Sequence, residues 1–543
     1  MRALGLGLVT LLGAAGCARP VEVSPSAPSL APIAHSVVVP AASASQAAAP
    51  APSPQEQLQL EQPREPAPSG PRELPRALPR FSGAKAPALC ARLGAGAPSA
   101  PKQACGATTL TRLANALEVS TPEGRDRALA PLEACSELPQ GWLRAARAEL
   151  ARECADVLIA PALRSLKAPL DAELGEIWLG LALAARLGRS VDKPPLYLGP
   201  GDDDSVGRYM KKTLRPWKAR QLERLEEAIS ATALLERDGY GATLVAIARA
   251  RATHELYSSA RRSRIPAAVA GDHHFRRRYY AALDAELEDV RLLLAPADAR
   301  AAELVLQQGI HRAFDADDWY WQQRRDFLHV QLLPPPSVEP ASDVERIARS
   351  LPSPYVEALF GAAVLNEPRT LRLMIEHGLT PRQRRALWAR QPNPAVVETW
   401  AYFEATLALR TRRLSHFDVV VGLLRDAEQR SPAAELVLAT ARAMRTGQLQ
   451  RDATTGEEGS WLFDLTPLRE LGELQTAGRA RVLALSNAAW LALLANTPDA
   501  VRSAQELFGE ANTLAPSEGC VRPPYGGFIA EPRGPVCDLP GLP

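Results

Sequence analysis

Apolar residues along most of this chain return every three or four positions. "LTRLANAL" (110–117), "LERLEEAISATALLE" (222–236) and "LDAELEDVRLLL" (283–294) are typical. At 3.6 residues per turn this spacing gathers the apolar side chains into one stripe. The pattern runs from about 105 to 516, and no convincing stretch alternates with period two, so the expected fold class is all-α. Helices are expected at about 106–119, 123–137 and 140–157, and further helices open at Thr121-Pro122, Ser353-Pro354, Thr380-Pro381, Ser431-Pro432 and Thr497-Pro498. In each pair the hydroxyl can accept from first-turn N–H groups, and a proline at the first helical position gives up no hydrogen bond. A helical body this long exceeds a small bundle. An α-solenoid of stacked helical hairpins buries its stripes most economically.

The flanks read differently. Residues 18–84 carry frequent Pro and Ala and little apolar bulk, as in "SAPSLAPIAHSVVVPAASASQAAAPAPSPQ". Such a segment cannot bury enough surface to offset its ordering entropy, so a disordered linker is expected. At about 3.1 Å per residue its full extension approaches ~200 Å. Residues 517–543 are dominated by Gly and Pro and bracketed by Cys520 and Cys537, which predicts an irregular tail clipped by a disulfide. Between the flanks the chain divides into a Cys-containing helical cap (85–160), a central helical region (161–345) and the repeats of 346–516.

Near the C-terminus, "SAQELFGEANTLAP" holds small Ala504 and Ala511, aromatic Phe508 and closing Pro516 at fixed steps. Upstream, "NAAWLALLANTPDA" supplies a preceding helix with Leu491 and Ala492. Residues 485–518 thus resemble a tetratricopeptide repeat, in which small residues let two helices approach and an aromatic fills the gap one turn later. Residues 401–434 resemble a second, with Leu407, Ala408, Leu424, Ala427 and Pro432 in register. Val420 stands where Ala is usual, and the first-helix Trp and Tyr are missing from both units. "LNEPRTLRLMIEHGLTP" (365–381) looks like part of an ankyrin repeat and is read as another helical hairpin. The tetratricopeptide resemblance implies that the first helix of each hairpin lines an inner groove. That assigns Tyr402, Arg412, Arg413 and Asn496 to partner binding. Two adjacent Arg can grip a carboxylate bidentately. Equally, they can be solvated charges that mark a helix end.

The chain opens "MRALGLGLVTLLGAAGCARP": a basic Arg2, a short apolar run and small residues before Cys17. This resembles the signal peptide and lipobox of bacterial lipoproteins, apart from Ala14, where Leu is commoner. The resemblance implies cleavage after residue 16, acylation of Cys17 and a bacterial cell-envelope location. The absence of Asp at position 18 points to the outer membrane. An ordinary secretory signal with a chance Cys is the alternative. No later segment reads as membrane-spanning; the most apolar, Val482–Ala495, is short and carries Ser486 and Asn487.

Net charge is +2 with both signs interspersed, so no nucleic-acid partner is expected. Six further Cys remain, and an even number in an exported chain favours disulfides. Cys105 and Cys135 lie nearly equal distances from the turn at Thr121, so they meet across that hairpin. Cys135 and Cys154 differ by about 16 Å of helix rise, beyond the ~7 Å a disulfide tolerates. Hairpin geometry therefore predicts Cys105–Cys135, then Cys90–Cys154 by elimination, and Cys520–Cys537. The sequential rival is Cys90–Cys105 with Cys135–Cys154.

Neither the common catalytic motifs nor metal-ligand spacings occur, so no catalytic residue, metal or cofactor is expected. "GDHHFRRRYY" (271–280) reads as a solvated basic turn and "GPGDDDSVG" (199–207) as a solvated loop. In "FDADDWYWQQRRDFL" (314–328), Trp319 falls off both apolar stripes; exposed, it can stack on a glycan or peptide, and covered, it is core. Two functions stay open. One is a membrane-anchored, non-enzymatic helical-repeat scaffold for an envelope protein or peptide. The other is an envelope glycan-binding protein or helical enzyme with a site near Trp319.

Overall fold

Four of the five Ser/Thr-Pro pairs cap helices as the pattern predicts. Thr121, Thr380, Ser431 and Thr497 each accept from the backbone N–H three residues on, and Thr380 forms a reciprocal capping box with Gln383. Ser353 does not cap. Pro352 takes the N-cap position one residue earlier, its carbonyl accepting from Tyr355 and Val356, and Ser353 is buried inside the first turn.

The structure is a computed structural model that describes residues 86–93, 104–165, 171–230, 235, 239–310, 329–390, 392–427, 429–451, 458–521 and 536–537. All of these lie in one compact unit, Glu65–Pro543. Cys17, the expected signal and linker, and Trp319 lie outside the described residues.

Those residues are mostly helical. Numbering helices of eight residues or more, they are α1 Thr109–Leu117, α2 Pro122–Leu129, α3 Gln140–Leu150, α4 Ala155–Ser165, α5 Ala172–Gly188, α6 Arg215–Ser230, α7 Tyr240–Arg261, α8 His273–Glu286, α9 Glu288–Gln308, α10 Asp343–Ser350, α11 Ser353–Phe360, α12 Pro368–His377, α13 Pro381–Trp388, α14 Pro394–Thr411, α15 Phe417–Arg425, α16 Pro432–Arg445, α17 Thr466–Glu473, α18 Arg479–Leu494 and α19 Pro498–Leu514. Two expected helices break. The one at 123–137 tightens into a 3₁₀ turn at Ala130–Ala134, where Pro131 can donate no hydrogen bond. The one at 140–157 breaks at Ala151 (φ −120°, ψ 49°), before Arg152–Cys154. Helix α4 spans residue 160 and α10 spans residue 345.

The cysteines pair as hairpin geometry predicts: Cys105–Cys135, Cys90–Cys154 and Cys520–Cys537, with Cα separations of 5.3, 5.1 and 4.0 Å. Closing 64- and 30-residue loops near the N-terminus is worth about 4 kcal/mol each on the chain-entropy model. Two short antiparallel strand pairs were not expected. β1 Gln448–Arg451 pairs with β2 Glu458–Leu462, where Trp461 and Phe463 stack at 5.7 Å. In the tail, β3 Cys520–Val521 pairs with β4 Val536–Cys537, so the disulfide joins directly opposed residues. The two loops read as solvated turns both open helices: Asp202 caps Asp203–Tyr209, and Asp272 caps α8 by accepting from His274 and Phe275. Phe275 and Tyr279 are buried, while Arg276, Arg277 and Arg278 face solvent.

Two packing regimes follow. From α14 onward, successive helices touch: α14 on α15, α15 on α16, α16 on α17, α17 on α18 and α18 on α19. In addition α12 packs on α14, α14 on α16 and α16 on α18, which makes those four one layer. Ala504, Phe508 and Ala511 are buried on α19, as the small-aromatic-small spacing implies. Earlier in the chain, neighbours such as α3 and α4 or α4 and α5 also touch, and long-range packing is added to them. Helix α10 returns to α1, α11 to α3, and α7 lies between α5 and α9. The α3–α7–α11 junction centres on the buried Glu149 carboxyl, which accepts from Tyr240 Oη at 2.7 Å and from Tyr355 Oη. Burial, then the Glu149 charge, raise the Tyr355 phenol well above its ordinary value. A second buried group, Arg147, joins Asp126 (2.7 Å) and Glu133.

The α1–α10 contact is ionic at its edge. Arg346 donates to Glu118 (2.7 Å) and Asp343 (3.0 Å), and the Thr111 hydroxyl donates to Asp343 at 2.6 Å. The Arg346 hydrogen bond holds Glu118 below the ordinary carboxylate range; the Thr111 hydrogen bond, then that of Arg346, do the same for Asp343. Depressed folded values contribute stability above the unfolded range of about pH 4 and lose it as pH falls through them. The Tm difference between wild type and Arg346→Ala should therefore be constant above about pH 5 and close on acidification. A difference that ignores pH would show that Arg346 acts by packing instead.

Candidate functional site

Residues 329–342 form no regular helix or strand, yet they are held along the α12–α14–α16–α18 layer. "HVQLLPPPSVEP" (329–340) explains why: Pro334, Pro335 and Pro336 supply no N–H and fix φ, so the segment cannot continue a helix or join a ladder. Four of its backbone groups, the Gln331 N–H and the carbonyls of Gln331, Pro336 and Glu339, are met by side chains instead. Asn487, fully buried on α18, accepts from Gln331 N–H at 2.8 Å through Oδ1 and donates to Gln331 C=O at 2.8 Å through Nδ2. The same Nδ2 lies 3.4 Å from Thr440 Oγ1 on α16. His329 stacks on Trp490, with ring centroids 4.0 Å apart, and Trp490 meets Phe508 edge-on at 5.2 Å.

At the other end, α12 contributes the donors. Arg372 Nη2 donates to Pro336 C=O at 2.5 Å, and its Nε donates to Thr399 Oγ1 on α14 at 3.0 Å. Arg369 Nη2 donates to Glu339 C=O at 2.7 Å, and its Nε donates to Glu345 at 3.2 Å. Burial pulls the Arg372 guanidinium below its ordinary value, though an arginine remains charged. The lengths agree. Eight extended steps from Gln331 to Glu339 span about 26 Å, and three helix spacings of 8–10 Å span about 24–30 Å. Val330 and Val338 turn inward, while Pro336 and Ser337 face solvent. At the segment's C-terminal part, a polar cleft of about 450 Å³ is lined by Glu118, Glu339, Pro340, Arg346, Arg349 and Ser350.

The residues that the repeat resemblance assigns to partner binding lie elsewhere on these helices. Tyr402 is half-buried on α14 with its ring edge-on to Phe403 at 5.1 Å, and burial raises its phenol. Arg412 and Asn496 are exposed and left-handed (φ 57° and 50°), just past the ends of α14 and α18. Arg413 is exposed and donates to the Ala299 carbonyl of α9 at 3.4 Å. Reading from repeat register reached the helix ends; it missed Arg369, Arg372, Thr440, Asn487 and Trp490. One signal was present: an Asn inside the apolar run Val482–Ala495 needs a partner if that run is buried.

Two other polar clusters are local. Glu404, buried on α14, accepts from Trp400 Nε1 at 2.8 Å and lies 2.5 Å from His416 Nε2. Cys105, Cys135 and Glu137 converge, but both sulfurs are committed to the disulfide. No helix among the described residues is long and apolar enough to cross a membrane. No family model matches the chain, and no curated protein or solved structure matches it either.

Asn487→Ala would leave both Gln331 backbone groups without their partners. Urea denaturation should show a loss of about 2–4 kcal/mol. Asn487→Asp keeps the acceptor but sets a carboxylate against the Gln331 carbonyl, and should be no better than Ala. A loss under 0.5 kcal/mol for both would mean that water replaces the amide without cost.

Proposed function

We propose that the chain is a membrane-anchored, non-enzymatic helical-repeat scaffold that binds a protein partner in the bacterial cell envelope. The observation that carries the reading is the continuous α12–α14–α16–α18 layer with an extended segment held along it. Paired helices at 394–425 and 479–514, with small residues buried where helices meet, support a tetratricopeptide-like α-solenoid over this part of the chain. The sequence "LLGAAGCARP" ending in the Cys17 region supports a lipid anchor. Disulfides support an exported location, because they persist in oxidising compartments. Tyr402 within α14, and Arg412, Arg413 and Asn496 past the helix ends, remain the proposed partner contacts.

The full chain purified from membranes should yield an N-terminal peptide carrying acyl mass on Cys17. Used as bait in envelope extract, it should retain a specific band that Arg412→Ala with Arg413→Ala loses at moderate salt, with Tm unchanged. An unmodified N-terminus would remove the anchor. An identical set of bound proteins would remove the arginine pair from the reading.

A further inference from the structure

We propose that the face formed by α12, α14, α16 and α18 is a binding site for an extended, proline-containing peptide, and that residues 329–340 occupy it in cis. The proposal rests on the scaffold reading and gives that surface its ligand chemistry. Both ends of the site address backbone. Asn487 takes the N–H and C=O of Gln331 together, and Arg372 and Arg369 take the carbonyls of Pro336 and Glu339. Contacts of this kind do not read side chains, so a different chain with the same backbone shape can make them.

The donors also suit proline. A polyproline segment has carbonyls but no N–H groups, and its conformation is set before binding. A site for it needs donors, and α12 supplies two arginines against Pro336 and Glu339. Side-chain selectivity comes from the His329 ring on Trp490, the inward Val330 and Val338, and Leu332 and Leu333, which pack against the core. The segment lies on the layer, not within it, since Gln331 to Pro335 are half-buried and Pro336 and Ser337 are exposed.

Tethering sets the regulation. A segment joined to its own site acts at an effective concentration on the order of millimolar, so a free peptide of similar intrinsic affinity competes poorly. Weakening the tethered copy should open the site. Replacing Pro334, Pro335 and Pro336 by Gly keeps the carbonyls but makes the segment far more flexible when released, which favours release.

The test uses a fluorescein-labelled HVQLLPPPSVEP peptide and the full chain, read by fluorescence anisotropy. Expected is at least tenfold tighter binding to the Pro334→Gly/Pro335→Gly/Pro336→Gly chain than to wild type. Adding Asn487→Ala should remove that binding, and a peptide with its three prolines changed to Ala should bind several-fold more weakly. Equal binding to wild type and the triple-Gly chain, or binding that ignores Asn487, would overturn the proposal. Hydrogen exchange on the wild-type chain checks it without any variant. The Gln331 amide should exchange at least tenfold faster than the α18 amides around Asn487. Exchange together with α18 would make 329–340 a fixed core element and overturn cis release. Because the peptide is defined, this can fail while the chain still captures an envelope partner through Arg412 and Arg413. The peptide can equally bind when no partner is captured.

Discussion

A carboxyl group buried among three helices constrains how this chain can close. Glu149 has no access to solvent, so it needs donors, and it finds them in the hydroxyls of Tyr240 and Tyr355. Those residues come from α7 and α11, 91 and 206 positions further along. Satisfying one side chain therefore fixes α3, α7 and α11 against one another. Once α11 is fixed, α10 can reach α1, where Arg346 meets Glu118 and Asp343. Residues 329–342 must then run from the C-terminal layer back to that junction, because they connect directly to α10. The segment's path along α12 to α18 is the short route that this closure leaves.

What was legible in the sequence is what is decided locally. Threonine and serine before proline fixed helix starts at Pro122, Pro381, Pro432 and Pro498, because both the hydroxyl acceptor and the missing N–H act within one turn. Ser353 failed since it has a proline on each side, and the earlier one claimed the cap. The cysteine pairing was legible although two helix boundaries were not. Pairing across a hairpin depends only on distance from the turn, and a 3₁₀ break near Pro131 leaves Cys135 opposite Cys105. Contacts between α1 and α10 or α3 and α11 span more than 200 residues, and no periodicity encodes them.

The candidate site divides in the same way. Repeat register reached Arg412 and Asn496, and these positions do share one property: each takes a left-handed backbone at a helix end. That conformation is uncommon for a side chain other than Gly, and it turns the chain toward the next helix. Register alone cannot show that residues 329–342 lie along α12, α14, α16 and α18. Helices α14, α16 and α18 can be read from the sequence, and so can the prolines of 334–336. Their meeting is tertiary.

Asn487 shows why the covering group could not be arbitrary. A helix-interior Asn that faces an apolar neighbour leaves a donor and an acceptor unpaired, at about 1–3 kcal/mol. A covering helix offers no free pair of backbone groups. An extended residue does: its N–H and C=O project to the same side, the geometry of a paired position in an antiparallel ladder. Gln331 presents both to Asn487 at 2.8 Å. The amide thus selects extended backbone at that point, and the prolines that follow remove the N–H groups for which α12 has only donors to offer. Asn487 at one end of the layer and Arg372 and Arg369 at the other convert a plain helical surface into one that accepts an extended chain running across it.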